Sequence, residues 1–132
     1  MNTRKLAILI AATLTACAPT TSGIEPQAFD LAGSEWAPEN GPEAQFIQFQ
    51  TDGNVSGNGA CNRFGGTYTQ EGNKLSFGPL MSTKMACLDM NKETAFFNAL
   101  DQVNSFEGDH LKLVLKSGTD DALLTLIRRD WD

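Results

Sequence analysis

Three cysteines, a single histidine and a few cations beside a glycine-rich bend are the side chains of this 132-residue chain with the means to do chemistry. Cys61 and Cys87 are separated by 25 residues, a spacing that no Cys-x-x-Cys redox motif has. Two cysteines and the distant His110 do not complete a zinc site. No Gly-x-Ser-x-Gly elbow, phosphate-binding Gly-rich loop or His-Glu-x-x-His helix occurs. The run Gly57-Asn58-Gly59-Ala60-Cys61-Asn62 has the look of a dinucleotide loop but lacks its third glycine, and backbone freedom at a sharp bend explains it better. Asp120-Asp121 offers two carboxylates to a calcium ion, although adjacent carboxylates in a turn are more often simply solvated. Asn62, Arg63, Thr83 and Lys84 are the remaining candidates: a ligand or partner surface, or groups that hydrogen-bond loop carbonyls. The chain is therefore expected to be no enzyme, with no catalytic residues, no metal and no cofactor.

The elements that position these residues are short. Ala44 to Gln50 alternates, with Ile47 and Phe49 on one face and Phe46 and Gln48 on the other, which is the period of a strand. Asp52-Gly53 is a hairpin signal leading into Asn54–Gly57. Phe64–Thr69 and Lys74–Phe77 form a second hairpin about Gln70–Asn73, and a first strand ends on Trp36. One helix is predicted, capped by Asp89 or Asn91 and running to about Val103. Glu93 sits at the positive end of its dipole, and Phe96, Leu100 and Val103 form its apolar stripe with Phe97 alongside. Ser105–Glu107 and His110–Leu115 follow as a hairpin about Gly108-Asp109, with Leu111, Leu113 and Leu115 on one face, and Ala122–Arg129 is the last strand. The fold class is mainly β (α+β): a small antiparallel barrel-like or strongly curled sheet of seven to eight strands, with the helix packed on it to shield open edges.

The first 28 residues carry a different signal. Arg4 and Lys5 precede nine apolar residues, Leu6–Leu14, too few to span a bilayer and suited to an export signal. Leu14-Thr15-Ala16-Cys17 resembles the lipobox of bacterial lipoproteins, which implies cleavage after residue 16 and acylation of Cys17. Residues 17–28 then read as the lipidated cysteine and a Pro/Ser/Thr-rich tether, and residues 29–132 as one domain. Anchoring by two or three acyl chains is firm where a single chain is marginal. Ala18, in place of an aspartate, implies by the same resemblance the periplasmic face of the outer membrane in a source that has one. Loss of Arg4 and Lys5 takes the net charge from −6 to −8, which argues against nucleic acid as a partner. With Cys17 committed to lipid, Cys61 and Cys87 remain as an even pair in an exported protein. A disulfide that closes a loop of this length contributes about 3.5 kcal/mol, and unpaired thiols are the main alternative.

Three blocks together resemble a known family. Gly59-Ala60-Cys61-Asn62-Arg63-Phe64-Gly65-Gly66-Thr67-Tyr68, Leu75-Ser76-Phe77-Gly78-Pro79-Leu80 and Ser82-Thr83-Lys84-Met85-Ala86-Cys87 are similar, in that order, to the META domain, also called HslJ-like. The resemblance runs from about Phe29 to Arg128. It implies a compact β-rich fold of barrel character with one helix, often attached to bacterial lipoproteins and without an established catalytic mechanism. Roles in heat shock, antibiotic tolerance, motility or secretion occur in the family, and none transfers residue by residue. The expected function is that of a lipid-anchored, non-catalytic envelope protein, monomeric, held to the membrane through Cys17 and acting on an envelope partner or in stress tolerance. The alternative is a small-ligand or peptide-binding barrel.

Overall fold

The computed structural model describes residues 29–88 and 90–129. The expected export signal, Cys17, the expected tether and the cap candidate Asp89 lie outside the described residues. Nine strands and one helix follow in the order β1 (Ser34–Pro38), β2 (Phe46–Phe49), β3 (Asn54–Asn58), β4 (Arg63–Glu71), β5 (Lys74–Phe77), β6 (Met81–Ser82), α1 (Met90–Gln102), β7 (Val103–Gly108), β8 (Lys112–Ser117) and β9 (Ala122–Arg128). All pairings are antiparallel. The sheet runs β3-β2-β1-β9-β8-β7-β5-β4, and β3 also pairs with β4, which closes eight strands into a barrel. The two-residue β6 is extra, lying along the first half of β4 beyond β5. Closure solves the edge problem that a curled sheet would leave open. The seam is β5–β7, where only Lys74 and Ser105 pair and the Phe106 amide donates to the Asn73 carbonyl at 2.9 Å.

Side chains fill the interior. Trp36, Ile47, Phe49, Leu113, Leu115 and Leu126 are fully buried, Ile47 with Phe49 and Leu113 with Leu115 at alternate positions of their strands. Each such burial contributes about 1.5–3 kcal/mol. The indole of Trp36 keeps its N–H satisfied by donating to Ser34 Oγ at 2.7 Å, and that hydroxyl donates to the Leu31 carbonyl. Phe49 meets Tyr68 edge-on at 4.9 Å between ring centroids. Helix α1 contributes Phe96, Ala99 and Leu100 to the core, with Phe96 and Phe97 against Phe64 at 5.9 and 5.4 Å.

Among the boundaries that differ from the sequence reading, three change where a key side chain stands. Val103 is buried as expected but opens β7, because α1 ends at Gln102. The strand expected from His110 starts at Lys112: Asp109 Oδ1 accepts the amides of Leu111 and Lys112 at 2.8 and 3.0 Å, and this turn holds Leu111 out of the sheet, 56% exposed. The first strand covers Ser34–Pro38, with Trp36 at its centre and not its end. Phe29–Leu31 precede it at the far end of β4, where the Gln70 side chain binds both the Leu31 amide and the Phe29 carbonyl.

Candidate functional site

The two outer motif blocks meet at the other end of β4. After β3 the chain bends through Gly59 and Ala60, and a Cβ at Gly59 would stand 2.8 Å from both Glu93 and Phe97 of α1, so only glycine admits the helix this closely. Ala60 takes φ of 127°, a conformation costing about 1–3 kcal/mol for a residue with a Cβ. Its amide is held by Asn58 Oδ1 at 2.9 Å. The next two residues are held by Glu93, whose Oε1 accepts the amides of Cys61 and Asn62 at 3.2 and 2.6 Å.

Asn62 is 2% exposed, and every hydrogen-bonding position of its side chain is used. Nδ2 donates to Glu93 Oε2 at 2.7 Å and to the Met85 carbonyl at 3.0 Å. Oδ1 accepts the Met85 amide and the Thr83 hydroxyl, both at 2.8 Å. Asn62 therefore ties three segments together: the bend, the first turn of α1 and the strap of residues 81–88. The Thr83 amide adds a bond to the Arg63 carbonyl at 3.0 Å, and the Cys61–Cys87 disulfide, with Cα atoms 6.1 Å apart, fixes the strap's far end.

Glu93 is buried to the same degree as Asn62, at 2% exposure. Burial pushes its carboxyl up, but the Asn62 amide and side chain, the Cys61 amide and the nearby Lys84 charge outweigh it and hold the carboxyl below its ordinary value of 4.5. It remains a carboxylate at neutral pH and serves as the acceptor on which the bend is built. Sequence reasoning placed Glu93 at the helix dipole and missed this role. The available signal was a lone acidic residue on the face of α1 that also carries Phe96 and Leu100.

Of the four candidates for a ligand or partner surface, the structure gathers all around one strap but separates their roles. Asn62 lies beneath the surface as a fastener, and Thr83 spends its hydroxyl on it. Arg63 and Lys84 are exposed. Between the strap and α1 lies a cleft of about 320 Å³ lined by Ser82, Thr83, Met85, Thr94 and Phe97. His110 is exposed in the β7–β8 turn, far along the chain from this cluster. Asp120 and Asp121 are engaged within their turn, Asp120 with Lys116 Nζ at 3.4 Å and Asp121 with the Thr119 hydroxyl at 2.7 Å. Among the described residues no three His, Cys, Asp or Glu side chains come together as a metal site.

The family model of the META domain matches residues 25–130, which includes the bend, the strap and Glu93. The chain belongs to the META domain family. Among solved structures, this META domain is similar to a protein from Burkholderia xenovorans determined by NMR, at TM-score 0.65 and 24% identity over 86% of this chain and 98% of that one. It is also similar to a DUF4847 family protein from Bacteroides vulgatus, at TM-score 0.57 and 19% identity over 67% of this chain and 62% of that one. These likenesses carry the fold alone. No curated protein matches the chain. The two outer META motif blocks are accounted for by the geometry above: Gly59 admits α1, Asn62 fastens the strap to Glu93, and the cysteines clamp.

Proposed function

We propose that this META domain is a lipid-anchored, non-catalytic component of the bacterial cell envelope that acts through its outer surface, in envelope stress tolerance or as an accessory to an envelope assembly. The observation that carries the reading is the contrast between a barrel interior filled by side chains and an exposed strap tied down by a disulfide and a buried polar network. The membrane attachment rests on the lipobox-like Leu14–Cys17. The chain enters the domain at Phe29, seven residues along β4 from the strap, or about 23 Å at strand spacing. Acylation at Cys17 thus leaves the strap end clear of the attachment point.

The rival reading, a small-ligand module, finds no support inside the barrel, where Trp36 and Phe49 occupy the space. Its support is a groove of about 450 Å³ outside it, between α1 and β9, lined by Phe96, Ala99, Leu123 and Leu124 with Lys92 at the rim. A photocrosslinking residue placed at Met85, at Lys92 or at the exposed Gln48 of β2, in intact cells, separates the readings. The surface reading predicts one envelope protein captured from Met85 and none from Lys92 or Gln48, whereas the groove reading predicts capture from Lys92. Capture from none of the three sites, together with normal envelope-stress tolerance of a deletion strain, overturns the surface reading.

A further inference from the structure

The strap has two edges, and only one is in use. Facing β4, Met81 and Ser82 pair with Gly65 and Phe64, the Thr83 amide bonds Arg63, and the amide and carbonyl of Met85 both bond Asn62. Antiparallel geometry turns alternate residues the other way, so the polar backbone groups of Ser82 and Lys84 point away from β4. The backbone N–H and C=O of Lys84 have no hydrogen-bond partner among the described residues. β6 ends the strand order and pairs with β4 alone, so no other strand is bonded to this edge.

The side chains on this segment are unusual for the molecule. Met81, Met85 and Leu88 are 81%, 58% and 105% exposed, and they make up all but one of the large exposed apolar residues among those described. Exposed apolar groups gathered on one segment mark a contact surface. Lys84 is an exposed cation on the opposite face of this segment, while Arg63, opposite Thr83, stands on the methionine face, on a chain whose net charge is −6. An open edge of this kind is normally blunted or hidden, because it templates further strands. Here it is instead held rigid at Cys87, Asn62 and Arg63, which removes the ordering cost of binding.

We propose that residues 81–86 form a docking edge that accepts an extended segment of another protein by strand addition, its side chains alternating between acidic, on the face of Lys84, and apolar, on the face of Met81 and Met85. Main-chain hydrogen bonds to Ser82 and Lys84 supply the attachment, and the neighbouring side chains supply the selection. The inference rests on the surface reading above and names the chemistry of its partner.

The test uses the full chain, isotope-labelled, titrated with three ten-residue peptides: alternating Glu and Val, alternating Lys and Val, and a scrambled block of the first composition. The expected result is slowed amide exchange at Ser82 and Lys84 with the Glu/Val peptide alone. Lys84→Pro removes the outward N–H and the Lys84 charge together while leaving the amides of residues 83 and 85 in place, and it is expected to weaken that binding at least about tenfold, the equivalent of one lost hydrogen bond before the charge is counted. Unchanged thermal unfolding of Lys84→Pro shows that the variant folds. Equal binding of all three peptides, protection mapping elsewhere, or undiminished binding by Lys84→Pro overturns the proposal. Protection of the same amides that rises with protein concentration without peptide overturns it in favour of a second copy of this chain. Loss of the peptide effect alongside continued capture of an envelope protein from Met85 would remove strand addition and leave the surface reading intact.

Discussion

Glu93 and Asn62 should be the least replaceable polar pair in the molecule, and a double-mutant cycle measures why. Glu93→Ala leaves the amides of Cys61 and Asn62 and the Asn62 side-chain N–H without their acceptor at a site where Glu93 and Asn62 are both 2% exposed. An unpaired buried donor costs about 1–3 kcal/mol, and with partial recovery by water the three together cost about 3–5 kcal/mol. Asn62→Ala keeps its backbone amide on Glu93 and loses only the four side-chain bonds, so the cycle isolates the 2.7 Å bond between Nδ2 and Oε2. A charge-assisted bond in this setting predicts a coupling of about 1.5–3 kcal/mol by denaturant unfolding with the disulfide intact. The pH dependence follows with its sign. The folded carboxyl titrates below its ordinary value of 4.5, so its contribution is complete above that value and is lost as pH falls through the folded one. The stability gap between the native chain and Glu93→Gln should therefore shrink on acidification below 4.5. A coupling under about 0.5 kcal/mol, the ordinary limit of additivity, or a gap that is the same in acid as at neutral pH, would refute the idea that this carboxylate builds the bend.

Other expectations follow from neighbouring features. Serine at both Cys61 and Cys87 should cost about 3.5 kcal/mol in chemical unfolding by the loop-entropy estimate, and a loss under about 1 kcal/mol would mean that the hydrogen-bond network alone fixes the strap. Ala60→Gly relieves a φ of 127° and should raise the unfolding temperature; a fall would show that the alanine side chain packs to an extent that outweighs its strain. Tyr68 is the single tyrosine, its hydroxyl donates to the Gln50 carbonyl at 2.8 Å, and burial first, then Asp30 and Asp52, holds its ionisation above 10.0. Spectroscopic titration should place its midpoint above that value, with stability lost as pH rises through it. Tyr68→Phe should abolish that alkaline loss, and its persistence would assign the effect to another group.

How much of this was legible beforehand depends on the range of the interaction. The alternation Phe46–Phe49 states which residues face inward, and Ile47 and Phe49 are fully buried as it requires. Asp52-Gly53 announces its turn, with Gly53 at φ of 82°. Both signals act over a few residues. Closure of the barrel does not: alternation specifies a face and never a neighbour, so nothing local tells β1 that its second partner is β9, more than eighty residues away. Glu93 escaped for the same reason. Its partners lie 31 and 32 residues earlier, and a carboxylate in a helix's first turn has a sufficient local explanation in the dipole. Asn62 was named as a candidate for a ligand or partner surface, whereas four bonds to distant groups bring it inside. Leu111 was lost to a shift of two residues in the turn, which the Asp109 side chain decides.

The proposed function requires one molecule to be tied to the membrane at Cys17 and to present a strap clamped at Cys61 and Cys87. Intact-mass spectrometry of the protein extracted from membranes without reductant reads both at once. The predicted mass is that of a chain beginning at Cys17, carrying two or three acyl groups and two hydrogens short of its reduced form. A chain that retains its first sixteen residues, or a Cys17 without lipid, would contradict the anchor and with it the proposed function.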